Sequence, residues 1–217
     1  MRLMRKTAVL TTLFLALALG SAAHAAPSGK PNAVEARVVA AMQADLGRRF
    51  PTAADAERAG YVRYTNEDAT GSISYANRHW QTPDPQHPSQ LWYDTAGKLL
   101  GADLSVLKHD DVRPHRWGMA PARWSVFPAH IHYVAIDPAT HEKQYDKDVS
   151  VEKFRAAGGD PAHPHAATLV KLGIVKSTDD VAIVFLFPAI WDISLWIRPN
   201  PDGAFADKNP LVTPTKP

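Results

Sequence analysis

The chain has 217 residues, with 24 basic and 22 acidic side chains, ten His, 18 Pro and no Cys. The lack of Cys excludes disulfides and thiolate metal sites. No run of five or more basic residues occurs, so composition also excludes a nucleic-acid partner.

In chain order, residues 1–25 read as a signal peptide. Arg2, Arg5 and Lys6 form a basic start, and Val9 to Leu19 is an apolar run. Ala23-His24-Ala25 then supplies a small-x-small cleavage pattern ahead of Ala26-Pro27. The run is shorter than the roughly 20 residues a membrane helix needs. With no Arg pair in the leader and no Cys after it, the pattern predicts export by the general secretion route. The product would be periplasmic or extracellular, with no stable membrane span after cleavage. Cleavage removes three of the 24 basic residues and leaves 21 against 22 acidic ones, a formal charge of −1. The whole-chain pI of 8.8 therefore signals neither nucleic acid nor a membrane surface.

Residues 26–32 read as a flexible leader, 33–207 as a single domain and 208–217 as a Pro-rich tail. Asn32 predicts the cap of a helix running to Arg49, with Val34, Val38, Val39, Met42 and Leu46 on one stripe. Thr52 with Asp55 predicts a second, short helix ending at Gly60. From Tyr61 onward β-structure is expected. Strands are predicted at 72–79, 91–94, 98–106 and 129–136, with Thr95-Ala96-Gly97 as a hairpin turn. Residues 108–128 look like an irregular excursion. Val149–Ala157 and Ala166–Leu172 read as short helices. Val181–Phe187, apolar at every position, reads as a central strand. The run 189–198 alternates, with one buried face and one mixed face carrying Ile190, Asp192, Ser194 and Trp196. The fold class predicted is α+β, a mostly antiparallel sheet of about five to seven strands with the N-terminal helices packed on it.

The leading chemical candidate is His130-Ile131-His132. On a strand, residues two apart point the same way with Cα atoms about 6–7 Å apart, close enough to share a metal. A Cys-free chain can bind Zn or Cu through imidazoles. His165, in His163-Pro164-His165, is taken as the third ligand, with His109 and His115 as other sources and Met119 as a soft ligand for copper. The competing reading makes both hydrogen-bonded histidines at the edge of a core, because they share a face with Val134 and Ile136. Trp92, Tyr93, Trp191 and Trp196 form a second theme, as core or as the lining of an apolar pocket.

Other patterns fall short. The His141-Glu142 pair lacks the second His of a zinc protease helix. Asp146, Asp148 and Ser150 imitate a calcium loop, but Val151 stands where its Gly belongs. Asp110-Asp111 and Asp179-Asp180 read as turn or cap carboxylates. No nucleophile elbow, P-loop or dinucleotide fingerprint occurs, so no catalytic residue is assigned.

Two stretches carry a resemblance. One is Gly71–Val106, with His87-Pro88-Ser89-Gln90-Leu91-Trp92-Tyr93 and Gly97-Lys98-Leu99-Leu100-Gly101-Ala102. The other is Leu195-Trp196-Ile197-Arg198 leading into Asn200-Pro201-Asp202-Gly203-Ala204-Phe205-Ala206 and Asn209-Pro210-Leu211-Val212. Together they resemble an uncharacterised family of secreted bacterial proteins with a C-terminal Asn-Pro-x-Gly-x-Phe…Asn-Pro pattern. The resemblance implies a compact exported domain with a sheet and brings no activity. It also implies that Ser74 and Ser194, or their neighbours, stand where members often carry a His in the first and the last strand. The function expected is an exported binding protein for a transition metal or small ligand at His130 and His132. The alternative is a structural or interaction module of the cell envelope.

Overall fold

The structure, a computed structural model, describes residues 29–77 and 84–215. The expected signal peptide and part of the loop before Pro85 lie outside them. Asn32 caps α1 (Ala33–Arg49), accepting from the Val34 and Glu35 N–H groups, while Glu35 reaches back to the Asn32 N–H. Thr52 and Asp55 make the same reciprocal box for α2 (Ala53–Arg58). Each box satisfies helix-end donors that would otherwise lack partners.

Among the described residues there are nine strands: β1 (Val62–Arg63), β2 (Ile73–Ala76), β3 (Gln90–Tyr93), β4 (Leu99–Leu107), β5 (Ser125–Phe127), β6 (His130–Ile136), β7 (Lys143–Ser150), β8 (Val181–Phe187) and β9 (Ile190–Trp196). They form two antiparallel sheets, one of six strands in the order β1-β2-β3-β4-β9-β5 and one of three in the order β7-β6-β8. The α+β class with N-terminal helices on a mostly antiparallel sheet is thus the observed fold. Short helices α3 (Val151–Ala156) and α4 (Ala166–Lys171) lie in the connection between β7 and β8.

One face of the large sheet is apolar. Leu91, Tyr93, Ala102, Leu104, Ile193 and Leu195 pack against Val39, Met42 and Leu46 of α1. Val34, expected on that stripe, is 43% exposed, and the neighbouring Glu35 is buried instead. The reason is polar: Glu35 accepts from the Asn32 N–H (2.9 Å) and the Ala120 N–H (3.1 Å), and pairs with Arg123 (3.3 Å).

Two expectations are corrected, those for β8 and for the region of β7. β8 is an edge strand, not a central one. It is apolar throughout because Val184 and Leu186 pack with Phe154 and Leu169 of the helices, while Phe185 and Phe187 pack on Tyr64 and Ile190 of the large sheet. β7 stands where no strand is predicted, and the helix expected from Val149 begins at Val151. Lys143, Asp146, Lys147 and Asp148 conceal β7 from a periodicity reading, and charges of this kind suit an exposed edge. The C-terminal segment is held to the surface: Asn209 is buried and donates to Pro199 O (3.0 Å), and the Thr215 N–H reaches Glu67 (2.7 Å).

Candidate functional site

The histidines lie on β6, on the face toward the large sheet. His132 is 5% exposed, and its Nε2 is 3.1 Å from Tyr64 O. Its ring meets Tyr64 edge to face (4.8 Å). Nδ1 is buried and makes no hydrogen bond. Burial holds its pKa below the usual value, against the raising effect of the Tyr64 carbonyl. His130 stacks on Phe187 (4.8 Å, 13°), with Nδ1 3.0 Å from Pro128 O. The two rings are 5.9 Å apart. His165 is exposed at the start of α4, and His109 and His115 line a separate hollow beside Trp191. Among the described residues no group of three or more His, Asp or Glu is placed to hold a metal. The pair therefore sits as packed, hydrogen-bonded side chains, and the structure does not bring His165 to it as a third ligand.

A different constellation occupies the other face of the large sheet. β4 carries Asp103-Leu104-Ser105 and β9 carries Asp192-Ile193-Ser194. Antiparallel register sets Asp103 opposite Ser194 and Ser105 opposite Asp192. Because alternate side chains share a face, the four polar groups lie together while Leu104 and Ile193 enter the core. The Ser105 hydroxyl donates to Asp192 Oδ1 (2.6 Å), and the Ser194 hydroxyl donates to Asp192 Oδ2 (3.3 Å). Ser89 Oγ lies 2.5 Å from Ser105 Oγ and extends the chain inward. Asp103 Oδ2 accepts from the Trp92 indole N–H (3.0 Å), while Oδ1 makes no hydrogen bond.

Asp103 is 5% exposed and Asp192 2%, and neither forms an ion pair among the described residues. Burial pushes the Asp103 carboxyl up to about 7, with the Trp92 N–H holding it back. Asp192 is also pushed well up, first by burial and then by the charge of Asp103. Two buried carboxyl groups that feel each other's charge favour sharing a proton over both ionising.

Above them lies a cleft of about 360 Å³, with Ser74, Trp92, Ser194 and Trp196 on the sheet and Ser125 and Phe127 on β5. This is within the size range of small-molecule sites, about 300–1,000 Å³. Ser194 is exposed in β9, between buried neighbours. Trp92 lies across Gly101: a Cβ there would come 2.2 Å from its ring and 2.7 Å from Leu195 O. Trp196 meets Trp92 edge to face (5.7 Å) and donates its indole N–H to Ala206 O (2.7 Å). The loop after β9 supplies Phe205, Ala206 and Asp207 to the rim, so the Asn-Pro-x-Gly-x-Phe pattern closes one end of the cleft. Asp68 and Thr70 close another. Of the four aromatics singled out in the sequence, Trp92 and Trp196 line the cleft, whereas Tyr93 and Trp191 belong to the core.

Sequence reading missed Asp103 as a site residue and used Asp192 only to mark a mixed strand face. The signal that could have found both is the repeated Asp-x-Ser triplet, once on each of two strongly alternating strands. The fold and site define a class, an α+β sheet protein with a polar cleft over a buried carboxyl pair. No family model, curated protein or solved structure matches this chain.

Proposed function

We propose that the chain is an exported binding protein whose site is the cleft over Asp103 and Asp192, occupied by a small organic ligand. Export is supported by the basic start, the apolar run and Ala23-His24-Ala25. The binding reading is carried by one observation: two carboxyl groups, with no ion pair among the described residues, lie buried beside Trp92 and Ser194, which line an open cleft. Such burial costs stability, and unfavourable groups of this kind concentrate where a fold serves a ligand. A histidine-centred metal site is the less supported version, because His130 and His132 are engaged with Pro128 O and Tyr64 O.

A thermal-shift screen of small polar and aromatic compounds tests the reading, with Ser194→Trp as the variant that fills the cleft. Ligands should raise the Tm of the parent protein and not that of the variant. A compound library that shifts neither protein, or both equally, overturns the cleft as the binding site. N-terminal sequencing of secreted material should begin at Ala26.

A further inference from the structure

We propose that the ligand taken by this cleft is an organic ammonium, a compact cation carried on a small carbon skeleton. The inference rests on the small-ligand reading of the cleft and concerns which chemistry the site selects.

Charge argues first. Asp68 and Asp207 stand on the rim and Asp103 and Asp192 lie beneath the floor. Among the described lining residues Arg123 is the only cation, and it is committed elsewhere. Its Nε and Nη2 each lie 3.3 Å from a Glu35 oxygen, Nη2 donates to Lys30 O (3.2 Å), and its guanidinium rests over the Phe205 ring (4.3 Å). An anionic ligand would meet a surplus of carboxylates and a cation already spent.

The aromatic walls argue next. Both indole N–H groups are used inside the fold, by Asp103 Oδ2 and by Ala206 O. Trp196 is only 2% exposed, so what the wall can offer a ligand is chiefly the half-buried ring of Trp92, and the negative face of an indole attracts a cation. A ligand recognised chiefly through hydroxyl groups would find neither indole available as a donor.

The orphan acceptor argues last. Asp103 Oδ1 is buried and makes no hydrogen bond among the described residues, and its strand partner Ser194 opens into the cleft. An ammonium seated at Ser194 brings positive charge next to both carboxyl groups, the interaction the fold itself does not supply. Without a ligand the pair favours the protonated form, so the ammonium acts by stabilising the ionised one. An opposite charge beside a buried carboxylate is worth far more here than at the surface.

The test is a tryptophan-fluorescence titration of the purified full chain with choline and with tetramethylammonium, using potassium chloride and glucose as controls. We expect a saturable change with both ammonium probes that potassium chloride at equal ionic strength does not reproduce. Asp103→Asn, which keeps the side-chain shape and folds at least as stably, should weaken that binding at least about tenfold. No saturable response to either ammonium, or equal binding by Asp103→Asn, overturns the proposal. Binding of a neutral or anionic compound that Ser194→Trp abolishes also overturns it, while leaving the cleft itself standing as the binding site.

Discussion

Asp103 and Asp192 are related by an approximate two-fold within the sheet: each faces the serine of the other's Asp-x-Ser triplet across the β4–β9 ladder. The arrangement puts two acids into one buried polar layer with hydroxyl donors and one indole N–H as their neighbours. Hydroxyls stabilise a carboxylate less than a cation does, so the site favours the protonated form.

The first prediction follows from that imbalance. A carboxyl whose folded pKa is raised contributes no cost below its unfolded value, near 4, and destabilises the protein progressively as pH rises through the folded value. For Asp103 that window runs up to about 7. Asp103→Asn should thus raise the unfolding free energy at neutral pH by about 1–3 kcal/mol and flatten the pH dependence across this window. Urea denaturation at pH 4.5 and 7.5 checks both; an equal loss of stability at the two pH values would contradict the account.

His132 acts in the opposite sense. Its folded pKa is depressed by burial, so protonation is easier in the unfolded chain, and stability present above about 6.5 is lost as pH falls below it. The Tyr64 carbonyl that it contacts also accepts from the Asp146 N–H (3.1 Å), so His132→Phe leaves that acceptor satisfied. In an Asp103→Asn background, where the opposing titration is reduced, His132→Phe should remove most of the remaining stability loss between pH 7 and 5. Its cost at pH 7 should be about 0.5–1.5 kcal/mol, one hydrogen bond.

The sequence makes α1, α2 and the strands with alternating apolar residues legible, because capping boxes and periodicity are local signals. The Glu35 clamp is not legible, since its partners Ala120 and Arg123 lie more than 80 positions away. The same holds for the site. His130 and His132 attract notice because two imidazoles on one strand face suggest a metal, yet their partners turn out to be the Pro128 and Tyr64 carbonyls. Asp103 and Asp192 look unremarkable until register sets the two triplets side by side. Pairing of strands separated by almost 90 residues is set by the packing of the whole sheet.

Gly101 tests whether the Trp92 wall is built deliberately into the sheet. A Cβ at this position meets Trp92 Cε3 at 2.2 Å and Cζ3 at 2.6 Å, with Leu195 O at 2.7 Å on the neighbouring strand. The backbone oxygen has little freedom to retreat, so the indole must leave. Gly101→Ala should destabilise the protein by about 1–3 kcal/mol and shift its tryptophan emission to the red as Trp92 becomes hydrated. Unchanged emission together with unchanged stability would show that Trp92 does not lie across the glycine.

Added Zn, Cu or Ni salts separate the two candidate sites. A metal held only by the folded protein raises Tm with concentration. With no third ligand grouped at His130 and His132 among the described residues, no such rise is expected, and His130→Ala should leave the metal response unchanged. A rise in Tm that His130→Ala removes would return the functional centre to β6.

Glu35 links the helix layer to the rim of the cleft. Burial pushes its carboxyl upward, but hydrogen bonds from the Asn32 N–H, Arg123 and the Ala120 N–H outweigh it, and the net shift is downward. Its stabilising contribution is therefore present above about 4.3 and lost as pH falls through the lower folded value. Glu35→Gln keeps the shape but removes the carboxylate charge paired with the largely buried Arg123 guanidinium, a change that costs about 3–5 kcal/mol when a buried pair is broken. The guanidinium over Phe205 at the cleft wall is then opposed by one carboxylate fewer and repels a cationic ligand more strongly. Where the variant remains folded, it should lose stability in denaturation and bind choline more weakly than the parent. Tighter choline binding by Glu35→Gln would mean that the charge of Arg123 does not reach the cleft.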